Sequence, residues 1–208
     1  MSDNKQNGAT QKERAARVQP AERRRQLTRC AVQVSGRCGL GNAGHAQVAD
    51  EAGVSTPTVF LYMPNRQALI NSVLAEVDDY FVNLVGTAAA SATGASGKLL
   101  AVAQAFAAAI DSDPDHVKIC LNWSTVVRAE SWPQYVDFQD RILAMLETII
   151  RDGLSRGEIA PEVNPVWGAH VVMGSAHMIA QMKFRNRDQR EINEFLTALI
   201  RGALSGRV

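Results

Sequence analysis

The stretch HAQVADEAGVSTPTVFLYMPNRQAL, residues 45–69, decides the fold, because it predicts two short helices joined by a tight turn. Gly53 ends the first helix, since glycine adopts a positive φ without steric cost. Ser55 is expected to cap the second helix by accepting a free backbone N–H. Pro57 is tolerated in the first turn of that helix, where no intrahelical hydrogen bond is lost.

The second helix of this stretch has an inward and an outward face. Val59 and Tyr62 are predicted to point inward. The side chains left outside are Thr56, Thr58, Phe60 and Leu61. This spacing is typical of a helix-turn-helix, whose second helix enters a DNA major groove. An ordinary helical hairpin is the alternative interpretation.

The composition limits the class of protein. The chain has 208 residues, enough for one sizeable domain or two small ones, and 46% of them are hydrophobic. No apolar run approaches the ~18 residues needed to cross a bilayer, and the polar N-terminus is not a signal peptide. Cys30, Cys38 and Cys120 form no CxxC pair. We therefore expect a reduced, cytoplasmic location and interpret all three cysteines as small core residues.

Charge is distributed unevenly along the chain. Residues 1–66 hold ten Lys and Arg against five Asp and Glu, whereas residues 67–208 hold twelve against sixteen. The N-terminal third is therefore expected to meet a polyanion. Residues 1–17 are predicted to be a disordered basic arm, with Lys12, Arg14 and Arg17 suited to a narrow minor groove. An inert tail is the alternative.

Apolar residues repeat at helical spacing through the rest of the chain. Further helices are predicted at 20–38, 66–90, 98–111, 115–128, 132–155, 165–185 and 189–204. A flexible connector is predicted at 91–97. Asp113 is expected to cap the next helix, and the DSDPDH sequence around it lacks the glycine and the glutamate of a calcium-binding EF-hand. No metal site is predicted there.

Two residues beside the helix-turn-helix suit contact with phosphate. Gly44 precedes the helix at 45 and lets backbone N–H groups approach an anion. Arg66 begins the long helix that follows the motif, where it is placed to hold the DNA backbone.

The last predicted helix, 189–204, carries an unbroken apolar seam. This is more apolar surface than a terminal helix needs for packing on one side. We therefore expect the final two helices to form a two-fold interface between two copies of the chain.

Four stretches resemble the TetR family of bacterial transcription regulators, and within it the LuxR/HapR/SmcR group of quorum-sensing master regulators. They are RRRQLTRCAVQVSGRCGLGNAGHAQVADEAGVS, TVFLYMPNRQAL, WSTVVRAESWP and RGEI. The similarity extends from about Val18 to Leu204. It implies an all-α, TetR-like fold, with a three-helix DNA-binding head at 18–65 and a six-helix ligand-binding and dimerisation body at 66–208.

The resemblance also implies partners. It indicates a homodimer, joined through the last two helices, that binds a pseudo-palindromic operator in double-stranded DNA. Such a dimer acts as repressor, activator or both, and activation would add RNA polymerase as a partner. Its two recognition helices would lie roughly 34 Å apart, facing successive major grooves.

The expected DNA contacts combine the motif with the resemblance: Arg14, Arg17, Gly44, Ser55, Thr56, Thr58, Phe60, Leu61, Tyr62 and Arg66. Two positions depart from the group. Leu61 stands where its members have an asparagine able to contact a base edge, and Ala15 stands in place of one of two arm arginines. We therefore expect readout mainly through DNA shape and phosphate contacts.

The resemblance further places an apolar ligand pocket in the body. Its residues in this chain are Phe81, Leu84, Val85, Val102, Phe106, Cys120, Gln139, Leu143, Val172 and Ala176. For each of them taken singly, plain hydrophobic core is the alternative interpretation. A ligand is expected to be apolar with one polar group, which Gln139 would meet.

The sequence does not predict an enzyme, a metal site or a cofactor. It has none of the Glu-x-x-His pairs of di-metal bundles, and no GxSxG, Walker loop or Rossmann fingerprint. His170 and His177 are interpreted as packing or surface residues. Two alternatives within regulation stay open. One is a ligand sensor with weakened DNA binding, which Leu61 suggests, and the other is a drug- or metabolite-responsive repressor with no quorum-sensing role.

Overall fold

The computed structural model describes residues 19–125 and 130–204, and within these ranges the chain folds into nine α-helices without a β-strand. The helices are α1 (Pro20–Cys38), α2 (His45–Ala52), α3 (Thr56–Tyr62), α4 (Arg66–Ala90), α5 (Ala95–Ser112), α6 (Pro114–Trp123), α7 (Trp132–Ser155), α8 (Pro165–Phe184) and α9 (Gln189–Leu204). In that part of the chain, no helix combines the length and the apolar character needed to cross a membrane.

The helix boundaries follow the sequence prediction except around α5 and α6. α5 begins at Ala95, three residues before the predicted start, because the Glu158 carboxylate accepts the backbone N–H of Ala95 at 2.6 Å. The predicted connector is correspondingly shorter. α6 ends at Trp123 rather than at 128, since Ser124 and Thr125 form a turn in which the Ser124 hydroxyl donates to the Leu121 carbonyl. The rest of the predicted helix lies outside the described residues.

The head consists of α1, α2 and α3 around a small apolar core. Leu27, Val48, Val59 and Met63 are fully buried in it. Burying a side chain of this size stabilises the fold by about 1.5–3 kcal/mol. α3 has only seven residues, so its position depends on this packing rather than on its own helical propensity.

The head joins the body through two helices. α4 runs from the end of the head into the body, and α1 packs against the start of α6. Gly36 makes this second contact close, because a Cβ at that position would overlap the side chain of Asp115. The body therefore touches the head at α6 as well as through the chain connection at α4.

Asp113 does not cap α6 in the predicted way. It occupies the N-cap position, but its side chain accepts hydrogen bonds from the Tyr80 hydroxyl at 3.0 Å and from the Ser112 hydroxyl at 2.7 Å, and from no backbone N–H of α6. Tyr80 belongs to α4, and its hydrogen bond links α4 to the start of α6. Burial and the Asp113 contact raise the pKa of Tyr80 to about 12.

The predicted core role of the cysteines is confirmed only for Cys30. Cys38 and Cys120 are half-buried, because Cys38 lies at the end of α1 and Cys120 faces a cavity. The three thiols form no disulfide.

The apolar seam of α9 is partly used within the chain itself, while Phe195 and Leu199 of that seam are half-buried. Ile192, Leu196, Ile200 and Leu204 are buried within the chain itself, since α9 packs against α5 and α8. α8, the other helix of the predicted interface, carries larger exposed apolar side chains. Its large exposed residues are Val166, Trp167, Val171, Met178 and Phe184.

Candidate DNA-binding surface and ligand cavity

The turn between α2 and α3 has the predicted geometry. Gly53 adopts a left-handed conformation with φ 64° and ψ 39°, which confirms its predicted role. The N–H of Val54 then bonds to the Ala49 carbonyl at 3.0 Å, which closes the end of α2. This turn fixes the direction in which α3 leaves the head.

Ser55 lies at the N-cap of α3 but does not cap it with its side chain. Its hydroxyl lies 2.8 Å from the Thr58 hydroxyl instead of accepting a backbone N–H. The expectation of a side-chain cap is therefore wrong. The Thr58 N–H bonds to the Ser55 backbone carbonyl at 2.9 Å, which replaces the missing cap contact.

α3 presents two large apolar side chains to solvent. Leu61 is 82% exposed and Phe60 is 45% exposed, whereas Val59 is fully buried. Thr56 and Thr58 are half-buried at the edge of this surface. The inward and outward assignment made from the sequence therefore holds for Val59, Phe60 and Leu61.

Tyr62 is half-buried rather than turned fully inward. The guanidinium of Arg24 lies over its ring, 5.6 Å from the ring centroid, and donates to the Tyr62 carbonyl at 3.4 Å. Arg24 thereby places a positive charge at the C-terminal end of α3, where helix carbonyls are unpaired.

His45 is a residue of this surface to which the sequence assigned no role. Its ring stacks on Phe60 with centroids 4.0 Å apart and an interplanar angle of 6°. Its Nε2 lies 2.8 Å from the carbonyl oxygen of Met63, just after α3. His45 therefore holds both Phe60 and the end of α3. The two rings are fifteen positions apart in the sequence, and no periodicity indicates their contact.

Gly44 and Arg66 lie on either side of the helix-turn-helix, and they differ in how free they are to contact a phosphate. The N–H of Gly44 donates to the Gln47 side chain at 2.9 Å, so this N–H is already paired. A phosphate would have to displace the Gln47 side chain from this N–H, so the phosphate contact expected at Gly44 is less favourable. Arg66 is the exposed first residue of α4, a helix capped by the Asn65 side chain. Arg14 and Arg17 lie outside the described residues.

The ten residues assigned to a ligand pocket all line one cavity of about 420 Å³ in the body. α4 contributes Phe81, Leu84 and Val85, and α5 contributes Val102 and Phe106. The other five come from α6, α7 and α8, so the cavity lies between five helices. Its volume is within the range of small-molecule sites.

The sequence missed several polar residues of the cavity wall. Ser124, Tyr135, His170 and His177 line the cavity too. The Ser124 hydroxyl lies 3.1 Å from Nε2 of His177, across 53 positions of sequence. His170 and His177 are exposed on α8, as interpreted, but they border the cavity as well. No local pattern relates these residues to one another.

Two titratable side chains of the cavity wall, Cys120 and Tyr135, have raised pKa values. Burial raises the pKa of the Cys120 thiol to about 12. Burial is also the main cause that raises the pKa of Tyr135, and a hydrogen bond to Ser124 opposes that rise. A neutral thiol is a poor nucleophile, so the geometry favours reversible binding over covalent chemistry. Among residues 19–125 and 130–204, no group of three His, Cys, Asp or Glu side chains is arranged to hold a metal ion.

The chain was compared with known protein families, sequences and structures. No family model matches the chain. The chain is 27% identical over 184 residues to the HTH-type transcriptional regulator LuxR of Vibrio harveyi, covering 88% of this chain and 90% of LuxR. The structure is similar to a TetR-like transcriptional regulator from Rhodococcus sp. RHA1, with a TM-score of 0.71 at 15% identity, covering 89% and 98% of the two chains. It is also similar to the transcriptional regulator FadR from Bacillus subtilis in complex with stearoyl-CoA, with a TM-score of 0.70 at 18% identity, covering 88% and 99%.

The described residues form a nine-helix fold in which α2 and α3 are arranged as a helix-turn-helix with α3 exposed. Over most of its length the chain is similar to LuxR, and its fold is similar to that of a TetR-like regulator.

Proposed function

We propose that the chain works as a homodimer that binds a pseudo-palindromic operator and is controlled by a small apolar ligand in the body. One copy of α3 enters a major groove in each half-site. The ligand occupies the cavity between α4, α5, α6, α7 and α8. The observation that carries the proposal is the exposure of Leu61 and Phe60 on α3, next to Arg24 and Arg66.

The exposed face of α3 supports DNA binding by its chemistry. Leu61 is able to pack on a thymine methyl group, while arginines contact phosphate oxygens. Leu61 offers no hydrogen bond to a base edge. Sequence preference is therefore expected to come from thymine contacts and from DNA shape.

The exposed face of α8 supports dimerisation. Trp167, Val171 and Met178 form a stripe at helical spacing, and each is 49% exposed or more. Gly174 lies in the same stripe and has no neighbouring atom within 4 Å of an added Cβ. A small residue of this kind permits close approach of a second helix. Isologous pairing of α8 would bury the stripe.

The cavity supports control by a ligand. FadR of Bacillus subtilis, which shares the fold, was solved with stearoyl-CoA, and we extend to this chain only the idea of an apolar ligand in the body. α4 carries three cavity residues and starts directly after the head. A ligand that changes the packing of α4 therefore acts on the head through one continuous helix.

The test is binding of purified protein to DNA fragments from around its own gene, followed by fluorescence anisotropy at rising salt concentration. We expect one fragment with an imperfect palindrome to bind, with the logarithm of the affinity falling linearly with the logarithm of the salt concentration. Binding that ignores salt, or no binding to any fragment, contradicts the proposal.

A second candidate function is a ligand sensor with weakened DNA binding, which the 82% exposed Leu61 at a base-reading position favours. In that case the ligand binds while every DNA fragment binds equally weakly. Genome-wide mapping of bound DNA would also give the regulon and the sign of regulation. It therefore separates a quorum-sensing regulator from a drug- or metabolite-responsive repressor.

A further inference from the structure

The C-terminal end of α3 is fixed by side chains that come from other helices. Two successive carbonyl groups lie at this end, those of Tyr62 and Met63. The Tyr62 carbonyl accepts a hydrogen bond from Arg24 of α1 at 3.4 Å, and the Met63 carbonyl oxygen lies 2.8 Å from Nε2 of His45 in α2. The last carbonyls of a helix have no partner within the helix, so contacts of this kind hold its end in place.

His45 makes the shorter of these two contacts, and it contacts α3 at a second point. A carbonyl oxygen only accepts hydrogen bonds, so Nε2 of His45 carries a hydrogen and donates it to the Met63 carbonyl. The same ring lies flat on the ring of Phe60, with centroids 4.0 Å apart and an interplanar angle of 6°. The N–H acts in the plane of the ring and the stack acts across it. Together they fix the His45 ring against α3.

Phe60 is the residue whose freedom this arrangement reduces. Its side chain is 45% exposed, so the core of the head holds only part of it. An exposed side chain exchanges between rotamers, and fixing it when a partner binds costs conformational entropy. The stack on His45 removes part of that cost before binding.

Leu61 lies between two rings that are held from different sides. Residues two positions apart in a helix are about 200° apart around its axis, so Phe60 and Tyr62 point to different sides of α3. His45 stacks on the first ring, and the Arg24 guanidinium lies 5.6 Å from the centroid of the second. The exposed Leu61 therefore projects from a helix whose rotation about its own axis is restricted on both sides.

We propose that His45 is a positioning residue for DNA recognition, an inference that rests on the proposed function. By holding Phe60 and the end of α3, His45 presents Phe60 and Leu61 to the major groove as one fixed apolar surface. A fixed surface discriminates between base sequences, whereas binding to unrelated DNA depends mainly on contacts between cations and phosphates. Loss of His45 should therefore lower the preference for the operator and leave the affinity for DNA in general unchanged.

The test compares His45→Ala with the unchanged full-length protein by fluorescence anisotropy. The two probes are the fragment from around its own gene that the protein binds best and a shuffled duplex of the same length and composition. Affinity for the first should fall about fivefold per half-site, or about 25-fold on a palindrome, because the stack is lost. Affinity for the shuffled duplex should change by less than about twofold, and the salt dependence should be unchanged.

The comparison of the two duplexes separates positioning from a merely structural role. If His45 only stabilised the head, His45→Ala would weaken binding to both duplexes by the same factor, and that result overturns the inference. The matched control is Gln33→Ala, which removes an exposed, uncharged side chain of α1 in the same head and should change neither affinity.

A double-mutant cycle tests whether His45 acts through Phe60. His45→Ala should cost less affinity in a Phe60→Ala background than in the unchanged protein, because the stacked ring is already absent. If the full loss of about fivefold per half-site persists in that background, His45 acts by another route and the assignment is overturned.

Hydrogen–deuterium exchange of the free protein separates this inference from the proposed function. His45→Ala should raise amide exchange in α3 at least about threefold and leave α7, in the body, unchanged. If exchange rises in this way but the unchanged protein prefers no fragment over its shuffled version, the proposed function and the DNA role of His45 are overturned, while the contact between His45 and α3 stands. If exchange in α3 stays the same, His45 does not hold α3, and the inference is overturned even where operator binding is normal.

Discussion

The large apolar side chains that the described part of the chain leaves exposed fall on two helices, α3 and α8. The surroundings of these two helices differ. Phe60 and Leu61 of α3 lie near Arg24, and Arg66 follows four residues after the helix. α8 has no charged residue from Pro165 to Met182. The apolar side chains of α3 therefore lie near arginines of other helices, whereas the α8 stripe from Trp167 to Met178 contains no Lys, Arg, Asp or Glu.

This difference indicates which partner each surface meets. Apolar groups beside cations suit DNA, which offers thymine methyl groups and phosphates together. An uncharged apolar stripe suits a second protein surface of the same kind, and a copy of α8 is such a surface. On our proposal the two surfaces depend on each other, because pairing of α8 brings two copies of α3 to one duplex.

The largest expected effect follows from breaking the α8 surface. Trp167→Arg replaces the most exposed large side chain of the stripe by a charged one and should make the protein monomeric. Operator affinity should then fall by about 100-fold or more, because the second head loses its high effective concentration. Sedimentation velocity and fluorescence anisotropy measure the two effects. Gln104→Arg on α5 is the control, and a Trp167→Arg dimer with full affinity contradicts the assignment of α8.

A smaller effect is expected from removing a cation beside α3. Arg66→Ala should weaken binding to all DNA sequences by a similar factor, and should reduce the slope of log affinity against log salt by about one per head. Titrations at four salt concentrations measure this slope. Arg151→Ala, on the surface of α7, removes the same charge far along the chain and should leave the slope unchanged.

A still smaller effect is expected from substituting Leu61. This effect concerns the sequence preference of DNA binding. Leu61→Ala should weaken operator binding by roughly 1 kcal/mol per half-site, because apolar contact with a thymine methyl group is lost. The loss should be confined to operators with an A·T pair at the contacted position. Binding to a library of operator variants measures it. An unchanged preference would mean that Leu61 faces no base.

The smallest expected effect is a pH dependence of stability that arises at His116 of α6, the body helix that packs against the head. His116 of α6 stacks on Tyr80 of α4 with ring centroids 4.4 Å apart, and burial lowers its pKa, although Asp113, Glu76 and Asp115 act in the opposite direction. A lowered pKa means that the unfolded chain binds the proton more tightly than the folded chain. This contribution to stability is therefore complete above about pH 6.5 and is lost as the pH falls further.

Thermal unfolding at pH 7.5 and at pH 5.5 tests this contribution of His116 to stability. The melting temperature should fall at the lower pH, and His116→Gln should reduce that fall. His170→Gln, which changes an exposed histidine of α8, is the matched control. If His116→Gln leaves the pH dependence unchanged, His116 does not contribute to it.

The helices themselves could be predicted because their apolar residues repeat at helical spacing. α1, α4, α7 and α9 begin and end close to the predicted residues. The exceptions have physical causes outside the local sequence. α5 starts early because Glu158, 63 positions away, accepts the N–H of Ala95. Asp113 bonds to Tyr80, 33 positions away, instead of capping α6.

Surfaces were harder to predict than helices, because exposure depends on which elements pack together. Four residues of the apolar seam of α9, namely Ile192, Leu196, Ile200 and Leu204, are buried within the chain where α9 packs against α5 and α8, and the sequence did not indicate this. The stacking of His45 on Phe60 likewise joins two helices and leaves no local signal. The ten cavity residues were identified through resemblance, since their spacing alone is also that of an ordinary core.

The mass of the protein–operator complex tests the central claim most directly. Light scattering after size-exclusion chromatography should give two chains on one duplex that carries a single palindrome, and the Trp167→Arg variant should lose this complex. A complex of one chain per duplex, formed with the same affinity on a half-site as on the full palindrome, would contradict the account.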